Sequence, residues 1–193
     1  ALTEPDYPLV SGHGGQGGIN NEQIQQIIRQ GGIVYPGNKN GKGHVDFIEK
    51  LRVQWEASGT ERPLSIGYGA DANGIRTLPG PRGAQRISET QAVEYPFTMF
   101  DGPGWGPQFD DIDPVTVELL AVPNGRIWDV NEGGMYHYGL IPDLVEEIRI
   151  EGGEEALDTF YNSAETYLRL WEQTLEASID AQNLPTPSSL PVR

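Results

Sequence analysis

The sequence predicts an α/β fold of parallel strands joined by helices, with a β-hairpin insertion. Three observations support this. Through residues 7–69, short apolar runs alternate with helical periods in the order strand, helix, strand, helix, strand, which calls for parallel strands with right-handed crossovers. The helical period disappears from about Leu78 to Gly134, where Asn124-Gly125 marks a tight turn between two strand-like runs. Helical periodicity then returns from about Ile141.

Each element has a local reason. Tyr7 to Ser11 is short and apolar, and a glycine-rich loop carrying His13 follows. Asn21 to Gln30 sets Ile24, Ile27 and Ile28 on one face, with Asn20 or Asn21 as its cap and Gly31-Gly32 as its stop. Gly32 to Tyr35 reads as a buried strand. A helix from about His44 to Ser58 directs Val45, Ile48, Leu51 and Trp55 inward and ends at Gly59. "PLSIGYGAD" is the third strand. Helices are predicted at about Ile141 to Ile150, with Pro142 in a first turn that tolerates its missing N–H, and at Glu154 to Ala177. The latter carries Leu157, Phe160, Tyr161, Ala164, Tyr167, Leu168 and Trp171. The organisation is therefore a domain over 1–177, interrupted by a hairpin or lid over 78–134, and a Pro/Ser-rich tail over 178–193.

Composition narrows the function. With 193 residues, 37% apolar and 21% charged, the chain has the make-up of one globular unit. A formal net charge of −15 argues against nucleic acid or an anionic membrane as partner, because both reward Lys and Arg. No apolar run approaches the roughly 20 residues that span a bilayer. Without cysteine there is no thiolate nucleophile, disulfide or cysteine metal site. "GPGWG" has too few basic neighbours to cradle phosphate.

In barrels of parallel strands, active-site groups sit where strands end and loops begin. His13 and Asp71 both take that position, each flanked by glycines that let a ligand approach. Neutral imidazole is a common ligand for zinc-like ions, and a carboxylate beside the metal can ligate it or take the proton of a bound water. The same pair also suits structural hydrogen bonding. Weaker candidates for a substrate pocket are His137, Tyr68, Asn73 and Asn38. His137 could instead be a surface or capping residue, and His44, opening a helix, is expected to be solvated. The aromatics Tyr95, Phe97, Phe100, Trp105 and Trp128 either wall a pocket or pack on their own domain.

"PLVSGHG", "GGIVYPGN", the helix before "IGYGADANG", the Pro79-Gly80-Pro81-Arg82 loop and "HYGLIPDLVEEI" together resemble the renal (membrane) dipeptidase family of metal-dependent amidohydrolases. The likeness covers most of residues 7–83 and 137–175. It implies the C-terminal part of a (β/α)8 TIM-type barrel. In that family a Ser-His-Ser-like element supplies a metal-binding histidine, matched by His13 in "SGHG". A Gly-Asp-Phe-Asp-Gly-like element supplies an aspartate at a binuclear zinc centre, matched by Asp71 in "GADANG". Asn73 stands where the family has its second aspartate, and the loop after His13 lacks the arginine that would meet a dipeptide carboxylate. The family's remaining metal ligands would lie upstream of residue 1. The resemblance thus implies a product of a cleaved or split precursor, whose N-terminal half or a second chain completes the barrel and the site.

The expected function is hydrolysis of an amide, peptide or ester bond by a metal-activated water, with two divalent ions, zinc by type, as cofactor. His13 ligates metal; Asp71 ligates it and shuttles the proton. The alternative is a catalytically decayed barrel serving as a binding or structural subunit of a larger assembly.

Overall fold

A computed structural model describes residues 7–69, 78–82, 91–123 and 125–183, with backbone alone for Gln16 and 179–183. The predicted order holds at its start. β1 (Val10–Ser11) pairs in parallel with β2 (Ile33–Val34), through α1 (Asn21–Arg29). α1 opens on a reciprocal cap: the Gln23 N–H donates to Asn20 Oδ1 and the Asn20 N–H to Gln23 Oε1, each at 2.9 Å. Ile24 and Ile27 turn inward.

α2 (Gly41–Ser58) begins three residues before the expected His44. Asn40 caps it by accepting from the Gly43 N–H at 2.9 Å. The Gly41 N–H is held by Glu147 Oε2 at 2.7 Å, a partner far along the chain that local pattern does not reveal. Gly59 closes α2 in the left-handed conformation.

The barrel expectation is overturned. About half of the described residues are helical, and the described strands form three two-stranded sheets with no barrel. The third segment shows why. Its Gly67 N–H donates to the Val34 carbonyl at 3.1 Å, but the neighbouring Ile66 N–H donates to the Thr159 carbonyl at 3.3 Å. One backbone bond reaches β2 and the opposite side is taken by the last helix, where a barrel would place a further strand.

The insertion does contain hairpins, arranged differently from the single one expected. β3 (Phe97–Met99) pairs antiparallel with β4 (Val115–Val117), and β5 (Leu120–Ala121) with β6 (Ile127–Trp128). The run "VTVELLA" is therefore shared between two sheets. α3 (Val130–Gly133) follows, and Asn131 ties it to the 91–94 stretch by donating to the Val93 carbonyl at 2.9 Å and accepting from the Val93 N–H at 3.0 Å.

The last element, α4 (Ile141–Asn183), is broken at Gly153, whose φ of 62° and ψ of −158° are open to glycine. The break falls between the two predicted helices, and the second runs on past the expected tail boundary at Ser178. α2 lies against both α1 and α4, and Phe47, Ile48, Leu51, Leu144, Ile148 and Leu157 share one core with Ile66 and Val34. Among the described residues, no helix is long and apolar enough to cross a membrane.

Candidate functional site

β1 ends at Ser11, and the chain turns through a short 3-10 segment (Gly14–Gln16) that presents His13 at its start. The Tyr35 N–H donates to the Ser11 carbonyl at 2.9 Å, and the Gly15 N–H donates back to the Tyr35 carbonyl at 3.0 Å. The loop is thereby laced onto the carboxyl end of β2. It also lies very close: a Cβ on Gly14 would stand 2.3 Å from Val34 Cγ1, and one on Gly15 2.3 Å from the Pro36 carbonyl oxygen. The glycines let the loop descend, and His13 is left exposed at the rim.

Tyr35 organises this rim. Its ring lies over the third segment so closely that a Cβ on Gly67 would fall 1.1 Å from Tyr35 Cε1, and Gly12 and Gly69 approach the same ring. The carboxyl ends of β1, β2 and the third segment therefore converge on one aromatic face. Partial burial, then the nearby Tyr167, raises the Tyr35 phenol above its ordinary value.

The remaining sequence candidates are dispersed. Tyr68 turns away from Tyr35, donating to Met135 Sδ at 3.8 Å and contacting Phe160 and His44; burial, then Tyr138, pushes its pKa up to about 12. His137 is a capping residue whose Nδ1 accepts from the Gly139 N–H at 3.0 Å, with its ring on the edge of Trp128. Asn38 is half-buried in the loop between β2 and α2. Asp71 and Asn73 lie outside the described residues. Among the described residues no group of three His, Cys, Asp or Glu side chains could hold a metal ion.

Most of the aromatics pack inward. Phe100, Trp105 and Phe109 form an edge-to-face cluster with Tyr161 of α4, and Tyr95 and Phe97 join the core. Trp128 meets Tyr136 edge-on, and the Arg126 guanidinium sits over both rings, 4.7 Å and 4.0 Å from their centres.

Two polar features escaped the sequence reading. His44, expected in solvent, is fully buried. Its Nδ1 lies 3.0 Å from the Asn40 carbonyl and its Nε2 has no hydrogen-bond partner among the described residues; burial lowers its pKa to about 4. The helical start at Gly41 explains the error, since it turns His44 beneath Tyr68 and Phe160 rather than to the helix mouth. The second feature is a buried acidic face on α4. Arg82 reaches Glu151 Oε1 at 3.0 Å and Glu147 Oε1 at 3.7 Å, and donates to the Gln91 carbonyl at 2.8 Å. Glu146 pairs with Arg149 at 2.6 Å, and Asp143 accepts from the Tyr95 hydroxyl. Burial raises the carboxyls of both Glu147 and Asp143. The i, i+3, i+4 spacing of Asp143, Glu146 and Glu147 was a visible signal, but it reads equally as a solvated face.

Comparison with protein-family models gives no match, and neither curated proteins nor solved structures match significantly.

Proposed function

We propose that the rim around Tyr35 is one side of a metal-dependent hydrolase site that cleaves an amide, peptide or ester bond and is completed by a second polypeptide. The observation that supports this is an exposed imidazole, His13, on a glycine loop laced to the carboxyl ends of parallel strands. A zinc-type ion suits neutral imidazole, which binds through a ring nitrogen lone pair. Since no described trio of donors could hold an ion, the other ligands would be Asp71 and side chains of the partner. A bound ion would supply a water of lowered pKa and polarise the scissile carbonyl.

The chain's own residues then have distinct tasks. His13 must stay neutral to ligate. An Asp71 carboxylate oxygen accepts the water proton and returns it to the leaving group. Gly67 lets the Tyr35 ring pack directly on the third segment, and Gly12 and Gly69 leave only backbone beside that ring.

Imidazole NMR during zinc titration tests this reading, because the chain has three histidines. His13 should respond at the lowest zinc concentration, before His44 and His137, and Asp71→Asn should weaken that response. In the complete assembly, Asp71→Asn should retain metal yet lower turnover by at least about 10²-fold, the usual scale for loss of a general base. Zinc binding that survives His13→Ala unchanged contradicts the proposal.

A further inference from the structure

From Asn162 onward, α4 faces the protein with its polar side. Asn162 Nδ2 donates to the Leu64 carbonyl at 3.2 Å, and Gln173 accepts from Arg62 at 3.2 Å and donates to the Gln30 carbonyl at 3.1 Å. The apolar side faces outward. Tyr167, Leu168, Trp171 and Leu175 are 55%, 51%, 58% and 51% exposed. At about 3.6 residues per turn these four positions fall within roughly a third of the helix circumference. The stripe continues the line of buried Leu157 and half-buried Phe160 and Tyr161, so it is the core-facing side of α4 carried beyond the core.

Its borders are unequal. Glu165, Glu172 and Glu176 follow one flank at helical spacing; Glu165 is bonded to Arg169 at 2.6 Å, whereas Glu172 and Glu176 have no cationic partner among the described residues. Ser163 and Thr174 leave the other flank uncharged. A second copy would bring the same acidic flank and a further net charge of −15, which opposes self-association.

We infer that this stripe docks an amphipathic helical segment of another polypeptide, apolar at its centre and lined with Lys or Arg along the edge that meets Glu172 and Glu176. Apolar burial supplies the affinity and the acidic flank sets the orientation. The inference does not depend on the hydrolase reading.

The test uses the full chain and two synthetic helical peptides, one with a leucine face flanked by lysines and one with the same face flanked by glutamates. Fluorescence anisotropy should show saturable binding of the lysine peptide and none of the glutamate peptide. Leu168→Ser with Trp171→Ser leaves the charge unchanged and should weaken the lysine peptide by at least about tenfold, the scale of losing a central anchor. Glu172→Gln with Glu176→Gln keeps the stripe and should weaken binding severalfold while flattening its salt dependence. Circular dichroism establishes that each variant is folded; if the serine variant is not, the glutamine variant and the peptide pair still decide. Equal binding of both peptides overturns the inference, as does unchanged affinity in either folded variant. Stripe-dependent dimerisation, or stripe-dependent binding to phosphatidylcholine vesicles, would assign the face to a second copy or to lipid and likewise overturn it.

Discussion

Before Gly153, α4 turns Asp143, Glu146 and Glu147 into the protein; beyond it, the same helix turns Tyr167, Leu168 and Trp171 out to solvent. The first half buries charge beside its apolar Leu144, Val145 and Ile148, and the second leaves apolar residues in water beyond its buried Leu157, so both depart from the usual rule of apolar inside and charge outside. They do so for different reasons. In the first half each acid has a fixed partner: Tyr95 for Asp143, Arg149 for Glu146, and Arg82 with the Gly41 N–H for Glu147. Burial of charge is tolerated there because hydrogen bonds and ion pairs replace most of the lost water, Glu147 Oε1 being met by Arg82 only at 3.7 Å. In the second half Leu157, Phe160 and Tyr161 still reach the core, but from Asn162 onward polar side chains satisfy backbone carbonyls of the body and the apolar side is exposed. The first half is thus complete within the chain. The second is the surface most in need of a partner.

Three perturbations sharpen this contrast. The largest effect should follow Arg82→Met, which removes the cation that meets Glu147 and Glu151; breaking a buried pair costs about 3–5 kcal/mol, read as a shift of the urea midpoint. His44, lying beneath Phe160 of the second half, should give the next largest effect, through acid. Its folded pKa of about 4 lies below the ordinary 6.5, so the unfolded chain protonates first and stability falls as pH drops from 6.5 towards 4. Relative to His44→Leu, wild type should lose about 3 kcal/mol over that window, at about 1.4 kcal/mol per unit. Parallel pH curves for the two proteins would contradict the buried neutral histidine. Tyr95→Phe is the mildest of the three: it deletes one donor to Asp143, worth about 2 kcal/mol for a hydrogen bond to a charged group. If it costs nothing, Asp143 has another partner.

Local signals were legible where the physics is local. The alternation of β1, α1, β2 and α2, the Asn20 and Gly59 caps and the break near Gly153 all follow from short-range pattern and backbone freedom. The barrel was not, because "PLSIGYGAD" has the composition of a buried strand but gives one of its N–H groups to Thr159 on α4. Position along the chain was enough to set His13 at a strand end. It could not reveal that His44 is buried, since that depends on Tyr68 and Phe160, distant in the chain, packing around the imidazole. Nor could periodicity say which side of α4 faces the body. Leu157 and Leu168 belong to one apolar stripe, yet only the first meets the core.

That pair provides the most direct measurement. Leu157→Ser and Leu168→Ser are the same chemical change on one helix, compared by urea denaturation of the full chain. Leu157 is fully buried, so its replacement should cost at least about 3 kcal/mol through the cavity and the stranded hydroxyl. Leu168 is exposed, and its replacement should stay within about 0.5 kcal/mol of wild type. Equal losses at the two positions would mean that α4 beyond Asn162 also buries its apolar side within the chain, contradicting the account.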